Sequence, residues 1–282
     1  METILYTDSA KVKIGGGPAV VIGEKINPTG RKKLAAALKA RNFDYVVELA
    51  TTQVAWGADV LDVNVGVPGI DEVALLPEVV KLVASVAKAP LCIDTPNHDA
   101  LAAALPTAPG KPLVNSVNGE EKSLQRVLPL VKDRGAAVIG LTMDDNGIPA
   151  TAEERLAMAA RIIERATGIG IPIEDIVIDP LVLTVGADSN AGAVTLKTIQ
   201  LVRQEFGVNI NLGASNVSFG LPDRHTLNQA FLALAIGQGA TCIITDPMKL
   251  TAIIRAADLL VGRDSHSKRW VSFFRQHPPE AQ

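Results

Sequence analysis

Short apolar runs recur along the chain, each closed by a polar residue and followed by a stretch of helical period. They are AVVIGE (Ala19 to Glu24), ADVLDVN (Ala58 to Asn64), APLCIDT (Ala89 to Thr95), PLVNS (Pro112 to Ser116), AAVIGLTMD (Ala136 to Asp144), IVIDP (Ile176 to Pro180), NINLGASN (Asn209 to Asn216) and TCIITDP (Thr241 to Pro247). Strands this short and this continuously apolar suit a parallel sheet covered on both faces, because alternation disappears when neither face meets water. Between them lie amphipathic stretches such as PEVVKLVASVAKA, with Pro77 expected at a first helical position, and EKSLQRVLPLVKDRG. Thr151 followed three residues later by Glu154 predicts a capping box ahead of RLAMAARIIERA. No composition break interrupts the alternation, which predicts one domain over residues 19–282. Eight units predict an α/β fold, a (β/α)8 TIM barrel; an open doubly wound sheet stays open as an alternative, since periodicity does not count closure.

Residues 1–18 stand outside this cadence as an N-terminal extension. KVKIGGGP reads as a small hairpin with a Gly-rich turn, expected to plug or cover the N-terminal mouth of the barrel. The tail after Arg263, SHSKRWVSFFRQHPPE, predicts a last helix laid on the outer ring through Trp270, Val271, Phe273 and Phe274.

Charge and composition then exclude several classes. With 27 Lys+Arg against 30 Asp+Glu, a net charge of -3 and no basic block, the chain has no electrostatic footprint for a nucleic-acid backbone. Although 48% of residues are hydrophobic, no run approaches the roughly 20 apolar residues that cross a bilayer. METILYTDSA lacks the basic start and apolar core of a signal peptide, and two cysteines make no disulfide framework; a cytoplasmic location is expected.

In a parallel barrel the strand C-termini converge on one mouth, so polar residues there mark the site. That ring holds Glu24, Asn27, Asp62, Asn64, Asp94, Asn115, Asn118, Asp144, Asp179, Asn216 and Asp246. It shows no His, Cys and carboxylate grouping with metal spacing, and little Lys or Arg to clamp a phosphate. Such a mouth suits a neutral polar heterocycle. Asp62 and Asn64 could equally satisfy backbone groups at the rim. Asp94 and Asp179 end apolar runs with no obvious cation nearby, and a ligand's amino group and ring N–H would supply the donors they need. His98, His225, His266 and His277 read as surface or supporting residues, Cys92 and Cys242 as packed thiols, and Met143 as core or as a contact to a flat ring. Gly15 to Gly17 do not form a phosphate loop, having neither a preceding strand nor a following helix with Lys-Ser/Thr.

Seven strings in order, IGEKINPTGRKKL (Ile22 to Leu34), LDVNVG (Leu61 to Gly66), LCID (Leu91 to Asp94), VNSVNG (Val114 to Gly119), GLTMD (Gly140 to Asp144), IDPL (Ile178 to Leu181) and SNVSFGLPDR (Ser215 to Arg224), make the chain similar to a known family. It resembles the pterin-binding methyltransferases that act between tetrahydrofolate and a corrinoid protein, from about residue 20 to the end. The resemblance implies a homodimeric (β/α)8 barrel. It implies that Asp94, Asn115 and Asp179 grip the 2-amino-4-oxo edge of the pterin, and that Asn216 is the catalytic amide hydrogen-bonding N5. Gly213 and Ser215 would shape its loop, Arg224 would stand on the folate side, and Asp62 and Asn64 would floor the pocket. Phe219 is a departure from the acetogenic member of the family, which carries a Gln there. Tetrahydrofolate or its 5-methyl form would be the substrate. No stretch reads as D-x-H-x-x-G, since DSHSKR (Asp264 to Arg269) lacks the glycine, so the corrinoid would arrive on a partner protein. NPTGRKKLA looks closer to members that serve demethylation, implying transfer from methylcorrinoid to tetrahydrofolate. A dihydropteroate synthase-like enzyme and an inactive pterin-binding barrel are the alternatives; the former's Lys- and Arg-bearing Gly-rich loops are not apparent in the sequence.

Overall fold

The computed structural model describes residues 1–278. Strands β1 (Thr3–Tyr6) and β2 (Lys11–Ile14) pair antiparallel. The barrel follows as β3 (Val20–Ile26), α1 (Lys32–Lys39), α2 (Asp44–Ala55), β4 (Val60–Val63), α3 (Glu72–Ala87), β5 (Leu91–Asp94), α4 (His98–Ala104), β6 (Leu113–Asn118) and α5 (Glu121–Arg134). It continues as β7 (Ala137–Leu141), α6 (Ala152–Gly168), β8 (Ile176–Asp179), α7 (Ala191–Phe206), β9 (Asn209–Gly213), α8 (Arg224–Gln238), β10 (Cys242–Thr245), α9 (Pro247–Leu260) and α10 (Lys268–Gln276). Strands β3 to β10 are all parallel, and β10 pairs with β3 from Cys242 opposite Val20 to Thr245 opposite Gly23, closing the barrel. The sheet is therefore the closed alternative, not the open one.

The two-residue pleat decides what enters the barrel. Outward positions such as Leu61, Val63, Ile93, Val114, Val138, Ile178 and Ile210 pack under the helices in one continuous core. Inward, a lower apolar layer of Val20, Ile22, Val60, Cys92, Leu113, Ala137, Ile139, Val177 and Cys242 fills the barrel. One pleat further toward the strand C-termini the inward position becomes polar: Asp62 after Val60, Asp94 after Cys92, Asn115 after Leu113, Asp179 after Val177.

Leu5 and Ile14 of the hairpin join the inner apolar layer, both fully buried, and so plug the N-terminal mouth. Asn209 at the start of β9 ties the plug down, its Nδ2 donating to Thr3 Oγ1 at 2.9 Å and to the Ile14 carbonyl at 3.0 Å. The hairpin differs from the sequence expectation in its turn. KVKI is its second strand and the chain reverses at Thr7 to Ala10, closed by the Thr7 N–H to Ala10 carbonyl bond; the glycines follow the hairpin.

Two further expectations are corrected. Pro77 is not at the start of its helix: Asp71 caps α3 by accepting from Ala74 N, and Pro77 lies in the second turn. The carbonyl it leaves without a donor is that of the exposed Val73, where water can serve. In the tail, α10 forms as expected and buries Phe273, but Val271 faces outward and anchors nothing. Arg269 in this helix pairs with Asp59, which also accepts from Arg255 and Val21 N. Pro279 and Glu280 of the tail lie outside the described residues. The capping box forms, with Thr151 Oγ1 accepting from Glu154 N at 3.2 Å and Glu154 accepting from Thr151 N at 3.0 Å.

Candidate active site

The strand ends bring two groups of polar side chains into the upper barrel. In the first, β4, β5 and β6 stand side by side with Asp62 opposite Cys92 and Asp94 opposite Asn115. Asn115 Nδ2 donates to Asp62 Oδ1 at 3.2 Å, and Asn64 Nδ2 to Asp94 Oδ2 at 3.0 Å. Asn27, from the loop after β3, gives the same Asp94 oxygen a longer bond of 3.3 Å. Among the described residues no cation pairs with either carboxylate. Burial pushes the Asp62 carboxyl well above the usual range, and the facing Asp94 adds to it; Asp94 is raised by its own burial against the bond from Asn64. The pair therefore holds a proton more readily than two isolated carboxylates. The Cys92 thiol beneath them is buried and pushed up for the same reason, which makes it inert packing.

The second group centres on Asp179, 5% exposed. Its oxygens accept from Leu181 N at 2.8 Å and from Asn211 Nδ2 at 2.7 Å. Burial raises its carboxyl to about 6 against these donors and the Arg155 guanidinium. Arg155 holds the following loop: itself buried, it donates to the carbonyls of Pro149, Pro180 and Leu181.

Asn211 was not singled out in the sequence, although its signal is there. In NINL the two-residue period puts Asn209 and Asn211 on the inner face, the lower fixing the plug and the upper facing Asp179. Asn211 Oδ1 is buried and has no protein partner.

The loop after β9 is separate from both groups. Asn216 is exposed on a 3-10 turn over Ala214–Ser218, and no described side chain bonds its amide. Gly213 lies behind it, where a Cβ would stand 3.7 Å from the Asn216 amide nitrogen. Arg224 braces the loop through Ser218 Oγ at 3.1 Å and the Ser215 carbonyl at 2.7 Å. Phe219 is 67% exposed with Arg224 5.8 Å from its ring centre.

Three of the strand-end residues have local structural work. Asn118 accepts from Glu120 N before α5, Asp144 closes a turn by accepting from Asn146 N, and Asp246 caps α9 through Met248 N while pairing with Lys25 at 2.8 Å.

Two cavities open on the mouth. One, of about 420 Å3, is lined by Asp94, Asn115, Ser116 and His98 among others. The other, of about 650 Å3, lies over the ends of β3, β9 and β10 and is lined by Glu24, Lys25, Arg31, Ser215, Arg224, His225, Asn228, Asp246, Lys249 and Leu250. The expectation of a mouth poor in Lys and Arg is thus corrected. Four cations surround this cavity: Lys25 stands on β3 beside Glu24, and Arg31, Arg224 and Lys249 come from a loop and first helical turns, outside a reading confined to strand ends. Among the described residues no cluster of His, Cys, Asp and Glu could hold a metal ion, and no helix is long and apolar enough to cross a membrane.

A closed parallel barrel with a carboxylate–amide layer under its C-terminal mouth defines a class of ligand-gripping barrel, and residues 23–246 match the family model of pterin binding enzymes; the chain belongs to that family. It is 30% identical over 265 residues to the methylcorrinoid:tetrahydrofolate methyltransferase of Eubacterium limosum, covering 91% of this chain and 96% of that one. It is 33% identical over 226 residues to methionine synthase of Mycobacterium tuberculosis, matching 76% of this chain but 19% of that much longer protein. Among solved structures, a dihydropteroate synthase of Yersinia pestis with a pterine-sulfa conjugate superposes with a TM-score of 0.72 at 17% identity, over 92% of this chain and 100% of that one. At that identity the likeness is one of fold.

Proposed function

We propose that this protein transfers a methyl group between a corrinoid carried on a partner protein and N5 of tetrahydrofolate, running from methylcorrinoid to tetrahydrofolate. The observation that carries the reading is the likeness to the Eubacterium limosum enzyme, which spans 91% of this chain and 96% of that one. The same reading makes the chain a cytoplasmic homodimer.

Asp94, Asn115 and Asp179 hold the pterin edge, with Asp62 and Asn64 as the floor. The chemistry of the donor set fits that task. Asn211 Oδ1 has no partner among the described residues and can accept from the pterin's amino or ring N–H groups, and Asp94 is a further carboxylate acceptor, while Asn115 is oriented by its bond to Asp62. The partner's corrinoid supplies an electrophilic methyl group and keeps the bonding electrons on cobalt. Asn216 accepts from the N5–H through its amide oxygen, which positions the amine and leaves the N5 lone pair free to form the bond to the methyl carbon; the N5 proton is then lost to solvent, since an amide neither gains nor loses charge near neutral pH. Its exposed, unbonded place on the rim suits a side chain that swings onto the ligand. Gly213 and Ser215 shape its turn, and Arg224 keeps that turn together.

A second reading, a dihydropteroate synthase-like enzyme, is favoured by the cations around the larger cavity, since that chemistry must hold a diphosphate leaving group. Asn216→Ala separates the readings. Methyl exchange between methylcobalamin and tetrahydrofolate is expected to fall about a hundredfold with tetrahydrofolate affinity changed by less than about threefold. Equal loss of turnover and affinity refutes the role given to Asn216, and formation of dihydropteroate by the wild type refutes the methyltransferase.

A further inference from the structure

The sequence holds two Asn–Gly steps, Asn118–Gly119 and Asn146–Gly147, and the function proposed above uses neither. Such a step carries a reaction of its own. Glycine has no Cβ to hinder its backbone nitrogen, which can attack the Cγ of the preceding side chain once hydroxide has taken its proton. The N–Cγ bond forms, the Cγ–Nδ2 bond breaks and ammonia leaves. Water then opens the five-membered imide at either carbonyl, giving aspartate or isoaspartate. The nitrogen and Cγ meet only when the peptide leaves its folded geometry, so what holds each step sets its rate.

The fold holds the two unequally. Asn118 ends β6, opposite Leu141 of β7. Its Oδ1 accepts from Glu120 N at 3.0 Å and its Nδ2 donates to Glu120 Oε1 at 3.1 Å, so the amide is fixed at both ends. Gly119 is buried, donates its N–H to the Met143 carbonyl at 2.7 Å, and has Met158 packed where a Cβ would stand. Moving that peptide opens the wall of the barrel. Asn146 lies on the loop between β7 and α6, at the mouth end; it is exposed and no described residue bonds its side chain. Gly147 has a φ of +94°, and beyond its neighbours no atom comes within 4 Å of where a Cβ would stand. Its N–H is also bonded, to the Asp144 carbonyl at 2.8 Å, so that bond does not separate the two sites. The difference is reach. This bond, the return bond from Asp144 N to the Gly147 carbonyl at 3.2 Å and the Asn146 N–H to Asp144 Oδ1 bond at 2.8 Å all stay within four residues. The turn can open without disturbing a strand or a helix, a local event of low free energy.

We propose that Asn146 is a site of spontaneous covalent modification in the native protein, converting to aspartate and isoaspartate while the fold preserves Asn118. Either product adds a carboxylate to a stretch of rim where Asp145, Glu153 and Glu154 are already exposed, so modified molecules present a more acidic mouth. The isoaspartyl product also runs the main chain through the former side chain, one methylene longer, which breaks the Asp144–Gly147 turn. The inference does not depend on folate as substrate. Peptide mass mapping of the full chain, incubated at neutral and at mildly alkaline pH, tests it by the exchange of NH2 for OH. In the folded protein Asn146 is expected to convert at least about tenfold faster than Asn118, and faster at the higher pH. In urea, where only local sequence acts, the two rates should come within about threefold of each other. Asn146→Gln should abolish the change in its peptide, because glutamine would have to close a six-membered ring. Equal rates at the two steps in the folded chain overturn the inference, as does an Asn146 that survives in the native protein while converting in urea, since the turn would then guard it as firmly as the barrel guards Asn118. A mass change that persists in the Asn146→Gln peptide also overturns it.

Discussion

Replacing Asp179 by Asn should make the protein more stable and its pterin site worse. Asp179 is buried, and its carboxyl titrates at about 6 in the fold against 3.8 for an ordinary aspartate. Because the folded value lies above the unfolded one, the native chain binds more protons than the unfolded chain between about pH 4 and pH 6. Stability therefore falls as pH rises through that window, and the full cost is present above it. At about 1.4 kcal/mol per pH unit the rise corresponds to about 3 kcal/mol of stability forgone at pH 7.5. Asparagine has the same shape and no charge. Leu181 N can still donate to its oxygen, and the Asn211 amide can turn over so that its Oδ1, unpartnered in the native protein, accepts from the new NH2. Urea unfolding should show Asp179→Asn stabilised by up to about 3 kcal/mol at pH 7.5 and near the wild type at pH 4. Tetrahydrofolate affinity at pH 7.5 should fall at least about tenfold, because a charge-assisted acceptor is lost. A variant destabilised by more than about 1 kcal/mol at pH 7.5 would refute this account. It would mean that the buried charge is net favourable through partners other than Asn211, Leu181 and Arg155.

Two other substitutions probe the scaffold. Arg155→Met leaves the carbonyls of Pro149, Pro180 and Leu181 without their donor and should cost about 3 kcal/mol in urea, with Asp179 pushed further up as its guanidinium is withdrawn; a cost under about 1 kcal/mol would show that solvent replaces it. Leu5→Ala should cost about 2–5 kcal/mol and speed hydrogen exchange in β1 and β2 while leaving tetrahydrofolate affinity unchanged, because the plug sits at the end of the barrel away from the mouth; loss of affinity would contradict that separation.

Much of this protein was written locally. The apolar runs, the Thr151–Glu154 cap and the change from apolar to polar at each strand end all depend on residues a few positions apart, so period and spacing alone place Asp62, Asp94, Asn115 and Asp179 on the inner face of parallel strands. The turn of the hairpin and the position of Pro77 were misplaced even at that range. Both depend on where neighbouring elements pack, the first on the barrel mouth that receives Leu5 and Ile14, the second on Asp71 capping one and a half turns earlier. Only the tertiary structure decided that β10 meets β3, that Asn64 rather than a cation serves Asp94, and that Asn211 is turned to Asp179 while its neighbour Asn209 holds the plug. The second cavity is further still from the sequence. Lys25 on β3, Arg224 at the start of α8 and Lys249 in the first turn of α9 are spread along the chain, and barrel closure makes them neighbours. Local pattern determines which way a side chain faces; the curvature that closes eight strands on one another determines which side chain it then meets.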